Sequence, residues 1–205
     1  MSSVNPIEQF FVELDGLWGG AEPRLALKVL GSTALMLQAD YLRGTKDSDV
    51  LGVMPVEGEI KDKLRTLAGP GSRLEALHHF YLDVVPSGLP FLPHPPQFSP
   101  LDSLDSLDAR LGSFQVSVLS VVDVVVSKLK RFNGHDRDDV RAMVDMELVE
   151  HEPLLERFRS AVDRFSMDAR ADDLPAIIKH LHWVERECFF TRPTRIELPP
   201  WVDPD

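Results

Sequence analysis

Two aspartates two positions apart, Asp47 and Asp49, lead into the apolar run Val50–Val53. On a strand, residues i and i+2 face the same side, so carboxylates at this spacing can share hard divalent cations such as Mg²⁺. Asp83, between Leu82 and Val84, becomes a third ligand if its strand lies beside theirs. A two-metal site of this kind suits in-line phosphoryl transfer, in which the attacking hydroxyl is activated and the charge of a triphosphate and its pyrophosphate leaving group is neutralised.

A second group of residues has the chemistry of phosphate binding. Gly31 allows the backbone a close approach, and Ser32, with the amides opening the helix that starts at Thr33, can donate to phosphate oxygens. Lys128 sits among Val125, Val126 and Leu129, which points to a partly buried stem with its ammonium aimed at an anion; Arg131 follows three residues later. Asp138 could orient either cation, with Asp136 and Asp139 as acidic neighbours.

These pieces occur in an order that resembles the nucleotidyltransferase superfamily, in the group containing AbiEii-type toxins and the related DUF6036 proteins of unknown function. Gly31-Ser32 matches the opening glycine motif, Arg43-x-Thr45-x-Asp47-x-Asp49 the central one, and Asp83 the place of the third carboxylate. Lys128-Leu129-x-Arg131 followed by Arg137-Asp138 looks like the basic and acidic motif after the third strand, with Arg137 where a lysine is usual. The resemblance covers roughly residues 25–145. It implies a nucleoside triphosphate donor, Mg²⁺ bound by Asp47, Asp49 and Asp83, nucleotide contacts from Gly31, Ser32, Thr33, Arg43, Thr45, Lys128 and Arg131, and support from Arg137 and Asp138. It also implies an acceptor that is an RNA or tRNA end, a protein or a small molecule, and a cognate antitoxin in a toxin–antitoxin or phage-defence setting.

The elements that must position these residues follow from periodicity. Ile7, Phe10, Phe11, Leu14 and Leu17 mark an amphipathic helix over 6–18. Strands are expected at 25–30, 48–54, 80–85 and 114–119, and helices at 33–42, 59–67, 121–132, 137–148, 153–165 and 174–189. Asn133-Gly134 reads as a break after the first of the late helices. Between Pro86 and Pro100 fall six of the sixteen prolines, a composition that excludes a helix or a central strand. The expectation is therefore an α/β (α+β) fold: a mixed sheet flanked by helices at 1–119, including an N-terminal helix, and a mainly helical region at 120–205. The repeat LDSLDSLD at 101–108 reads as a surface loop.

At 205 residues there is room for one core with a helical addition. The net charge of −11 disfavours a dedicated binder of duplex DNA or bulk RNA unless positive charge is gathered locally. A single cysteine, Cys188, allows no intramolecular disulfide and reads as a core residue; paired histidines at 78–79 and at 180 and 182 do not converge as zinc ligands. No apolar run reaches the length of a membrane span, and no leader is evident at the N-terminus, so cytoplasmic residence is expected. Two other functions fit the same residues: a catalytically silent nucleotide-binding or interaction module, and an antibiotic-modifying transferase whose acidic site attracts a cationic drug.

Overall fold

The computed structural model describes residues 5–20, 24–39, 41, 49–53, 56, 58–84, 91–100, 107–199 and 201–202; the side chains of 49–53 and 107–108 are not described. The chain divides into two compact units, one of Met1–Ser87 with Phe98–Ser120 and one of Gly88–Gln97 with Val121–Asp205.

The first unit opens with α1 (Pro6–Trp18), whose Ile7, Phe10, Phe11 and Leu14 are all fully buried, as the three-and-four spacing predicts. Asn5 caps it by accepting from the Ile7 amide. Then come β1 (Leu25–Val29), α2 (Gly31–Gln38), β2 (Asp49–Val53), α3 (Gly58–Ala68), α4 (Arg73–His78), β3 (Phe80–Val84), β4 (Phe98–Pro100), α5 (Leu107–Arg110) and β5 (Phe114–Leu119). The strands form one mixed sheet in the order β3-β2-β1-β5-β4. β2 runs parallel to β3 and antiparallel to β1, while β5 is parallel to β1 and antiparallel to β4.

Alternation makes this sheet one-sided. Leu27 and Val29 of β1, Leu82 of β3 and Phe114, Val116 and Val118 of β5 are buried, while Lys28, Asp83 and Gln115 between them are exposed. The α1 helix also fastens the sheet by a polar route: the Asp15 carboxylate accepts from the amides of Gly112, Ser113 and Phe114 at 3.0, 2.7 and 3.2 Å. Periodicity does not mark the short α4 helix, whose start is instead fixed by Ser72 accepting from the Glu75 amide. The proline-rich stretch supplies β4, an edge strand that ends on Pro100, where a missing N–H is tolerated.

The second unit contains α6 (Val121–Lys128), α7 (Gly134–Asp145), α8 (His151–Phe165), a 3₁₀ turn (Ala171–Asp173) and α9 (Leu174–Glu187). Asn133-Gly134 is the start of α7: Asn133 caps it in a reciprocal box with Asp136. The α6 helix stops at Lys128, four residues before the expected end, and Phe132 takes a positive φ of 47°. Residues 91–97 belong to this unit. Phe91 meets the rings of Phe158 and Phe165 at 5.4 and 5.5 Å. Buried Asp123 receives two 2.7 Å bonds from Arg157 and a third from the Gln97 amide. Among the described residues no helix is long and apolar enough to cross a membrane.

Candidate functional site

After β1, Leu30 stays extended and Gly31 turns the chain at φ 63° into α2. An L-residue would be strained there, although a Cβ would meet nothing within 4 Å, so the backbone beside Gly31 is open to approach. Leu30 provides no side-chain cap for the helix. Ser32 is half-buried in the first helical turn and Thr33 is fully buried. The helix begins two residues earlier than expected, so Gly31-Ser32 is its first turn rather than a loop before it.

β2 starts at Asp49. Its antiparallel register with β1, Val29 opposite Val53, puts the beginning of β2 at the same end of the sheet as Gly31. The glycine turn and the opening of β2 at Asp49 therefore lie at the same end of adjacent strands. Arg43, Thr45 and Asp47 lie outside the described residues. Asp83 is exposed on β3, the strand next to β2, which meets the condition that the two strands adjoin. Its register partner, however, is Gly52, while that of Asp49 is Phe80. The offset of three positions is about 10 Å along the strands and is odd, so Asp83 is out of phase with the position of Asp49. Among the described residues no group of three His, Cys, Asp or Glu gathers as a metal site.

The basic and acidic motif lies in the second unit and is assembled differently from expectation. Lys128, only 7% exposed, ends 2.6 Å from Asp139 and 3.3 Å from Asp136, both of which are buried. Arg131 places Nε 2.9 Å and Nη2 3.1 Å from the two oxygens of Asp136. In place of an anion from outside, Lys128 meets two carboxylates of its own chain. Asp138 is exposed and outside this cluster, so the orienting acids are Asp136 and Asp139. Burial alone would raise the Asp136 carboxyl; the Arg131 hydrogen bond, the charges of Lys128 and Arg131 and the Asn133 amide outweigh it and hold the group below its ordinary range. Arg137 lies over the rings of Phe132 and Trp183 at 5.3 and 5.5 Å.

Elsewhere in the second unit, a groove of about 590 Å³ on α8 is lined by His94, Glu156, Arg159, Ser160, Asp163 and Arg164, none of them an expected site residue. His180 and His182 each engage a different backbone oxygen, that of Leu129 at 2.6 Å and that of Thr194 at 3.0 Å. Cys188 is buried, and burial raises its thiol pKa.

A mixed sheet with helices packed on its strands, a glycine turn from β1 into α2, and a mainly helical C-terminal part together define a nucleotidyltransferase-type α+β fold. The chain belongs to the family described as nucleotidyltransferase of unknown function (DUF6036), whose model matches residues 9–186. No curated protein and no solved structure gives a match.

Proposed function

We propose that the protein is a Mg²⁺-dependent enzyme that moves a nucleoside monophosphate from a nucleoside triphosphate to a hydroxyl acceptor. The observation that carries this is the turn at Gly31, at the end of the sheet where β2 begins with Asp49, in a chain of this family. Gly31, Ser32 and Thr33 at the start of α2, with Arg43 and Thr45, would hold the triphosphate. Asp47 and Asp49 offer oxygen donors only, which suits a hard cation; Asp83 is exposed and would join them by motif order, against its phase in the sheet. When bound there, Mg²⁺ supplies charge neutralisation at the phosphates.

The acceptor hydroxyl attacks the α-phosphorus, the bond from that phosphorus to the bridging oxygen breaks, and pyrophosphate leaves. The hydroxyl proton passes to a carboxylate, for which Asp83 is the candidate by motif order. Its phase relative to Asp49 speaks against that assignment, so Asp83→Asn is the decisive variant: unchanged transfer would remove Asp83 from the reaction. Lys128 and Arg131, joined through Asp136, are assigned to positioning the helices that follow, and Arg137 to the aromatic surface it covers.

The test is incubation with each of the four α-³²P nucleoside triphosphates, Mg²⁺ and total cellular RNA, beside Asp47→Ala/Asp49→Ala. Label in RNA that depends on the carboxylates is the expected result. Label in protein instead would change the acceptor but keep the chemistry. No label in RNA, protein or aminoglycoside, with nucleotide binding intact, would leave a silent nucleotide-binding module. A toxin role adds growth arrest on expression that a neighbouring gene product relieves and that the double variant lacks.

A further inference from the structure

A surface in the second unit gathers positive charge on aromatic rings in a chain whose net charge is −11. Arg137 and Arg141 stand one turn apart on α7, both exposed, and both lie over Trp183 of α9 at 5.5 and 5.3 Å. Arg137 also covers Phe132, whose ring stacks on His180 at 4.9 Å with 28° between planes and meets Trp183 edge-on at 5.3 Å. The His180 ring is held in place through Nδ1 and the Leu129 oxygen. Phe132, in the short link between α6 and α7 at positive φ, is buried beneath Arg137 and supports the cluster from below.

Charge around this cluster is mixed but leans positive. One turn either side of Trp183 on α9 come exposed Lys179 and Arg186, with Glu187 as the acid; Asp138 and Asp145 are the exposed acids of α7. Among the described residues neither Arg137 nor Arg141 is in an ion pair with a carboxylate. This contrasts with Arg131, Arg157 and Arg170, which are tied to Asp136, Asp123 and Asp168. Guanidinium groups held over aromatic rings are preorganised to stack on a base and to donate N–H bonds to phosphate oxygens. That combination matches unpaired nucleotides, whose bases are free to stack, better than a duplex, whose bases are not.

We infer that Arg137, Arg141 and Trp183, backed by buried Phe132 and half-buried His180, form a binding surface for a single-stranded polynucleotide. As the acceptor-holding surface it rests on the transfer reaction proposed above, whereas binding itself does not. Fluorescence anisotropy with a labelled 12-nucleotide RNA, without nucleotide or Mg²⁺, tests it directly. The wild-type chain binds the single strand more tightly than the same sequence as a duplex, and tightness falls with salt. Arg137→Gln/Arg141→Gln weakens binding at least tenfold and lowers the salt slope by about 1.4, the value for two lost contacts to a single strand. Circular dichroism of the double variant checks that the helices persist, and Arg141→Gln alone gives an intermediate loss. Equal binding of single-stranded DNA keeps the proposal, with the 2′-hydroxyl unread. No binding by the wild type, no loss in the double variant, or equal affinity for duplex overturns it. Binding without transfer to any acceptor would sink the reaction and spare the surface; transfer without binding would do the reverse.

Discussion

Lys128 ends between two buried carboxylates, and this decides what its substitution does. Lys128→Met removes the cation that compensates Asp139 and shares Asp136, leaving buried charge behind, which costs about 3–5 kcal/mol. Urea unfolding is expected to show a loss of that order. Unchanged stability with transfer abolished would instead return Lys128 to the phosphates. Asp136 adds a pH dependence. Its carboxyl lies below the ordinary value in the folded chain, so its stabilising contribution is complete above the unfolded carboxylate range, about pH 4, and disappears as pH falls through the depressed folded value. Asp136→Asn should therefore lower the urea midpoint at pH 7 and flatten its fall between pH 4 and pH 2. An unchanged acid limb would mean that other carboxylates govern it.

At the scale of elements, the turn from β1 into α2 is the feature most exposed to test. Gly31→Ala puts a Cβ into open space but at φ 63°, at a cost of about 1–2 kcal/mol. Thermal melts should show this loss, and triphosphate affinity should fall with it because the backbone can no longer approach as closely. Asn133→Ala should cost about 1 kcal/mol by removing the cap of α7.

Much of this was legible in the sequence. The apolar spacing of Ile7, Phe10, Phe11 and Leu14 specifies α1, and alternation in residues 114–118 specifies β5 and its buried side. Asp136 and Asp139 could also have been found: counted back from buried Val140 and Met143 at helical spacing, they fall on the inward stripe of α7 and Asp138 does not. Asn133-Gly134 carried two meanings, breaker and cap, and only the box with Asp136 decides between them. Pairing and register were not legible, because local patterning fixes which side of a strand is buried and says nothing of its neighbour. The opposition of Asp83 to Gly52 is such a fact.

For the molecule as a whole, the sheet unit contains the glycine turn and two of the carboxylate positions within the described strands, and the helical unit contains the charged motif. Ligand binding is the global test. A nucleoside triphosphate with Mg²⁺ at about 100 times its dissociation constant should add about 2.7 kcal/mol of stability. The gain should vanish with EDTA and in Asp47→Ala/Asp49→Ala; a full shift that survives both would exclude carboxylate-held metal from nucleotide binding.

The chain crosses between its units more than once: residues 91–97 belong with the late helices, yet residues 98–100 and 107–120 belong with the sheet. On the ribosome this order has a cost. Phe91 and Leu92, buried in the finished protein, emerge long before Phe158 and Phe165 exist to cover Phe91. The nascent chain therefore exposes an apolar segment for most of the synthesis of its second half, an interval of several seconds at about 5–20 residues per second, during which chaperones and proteases have access to it.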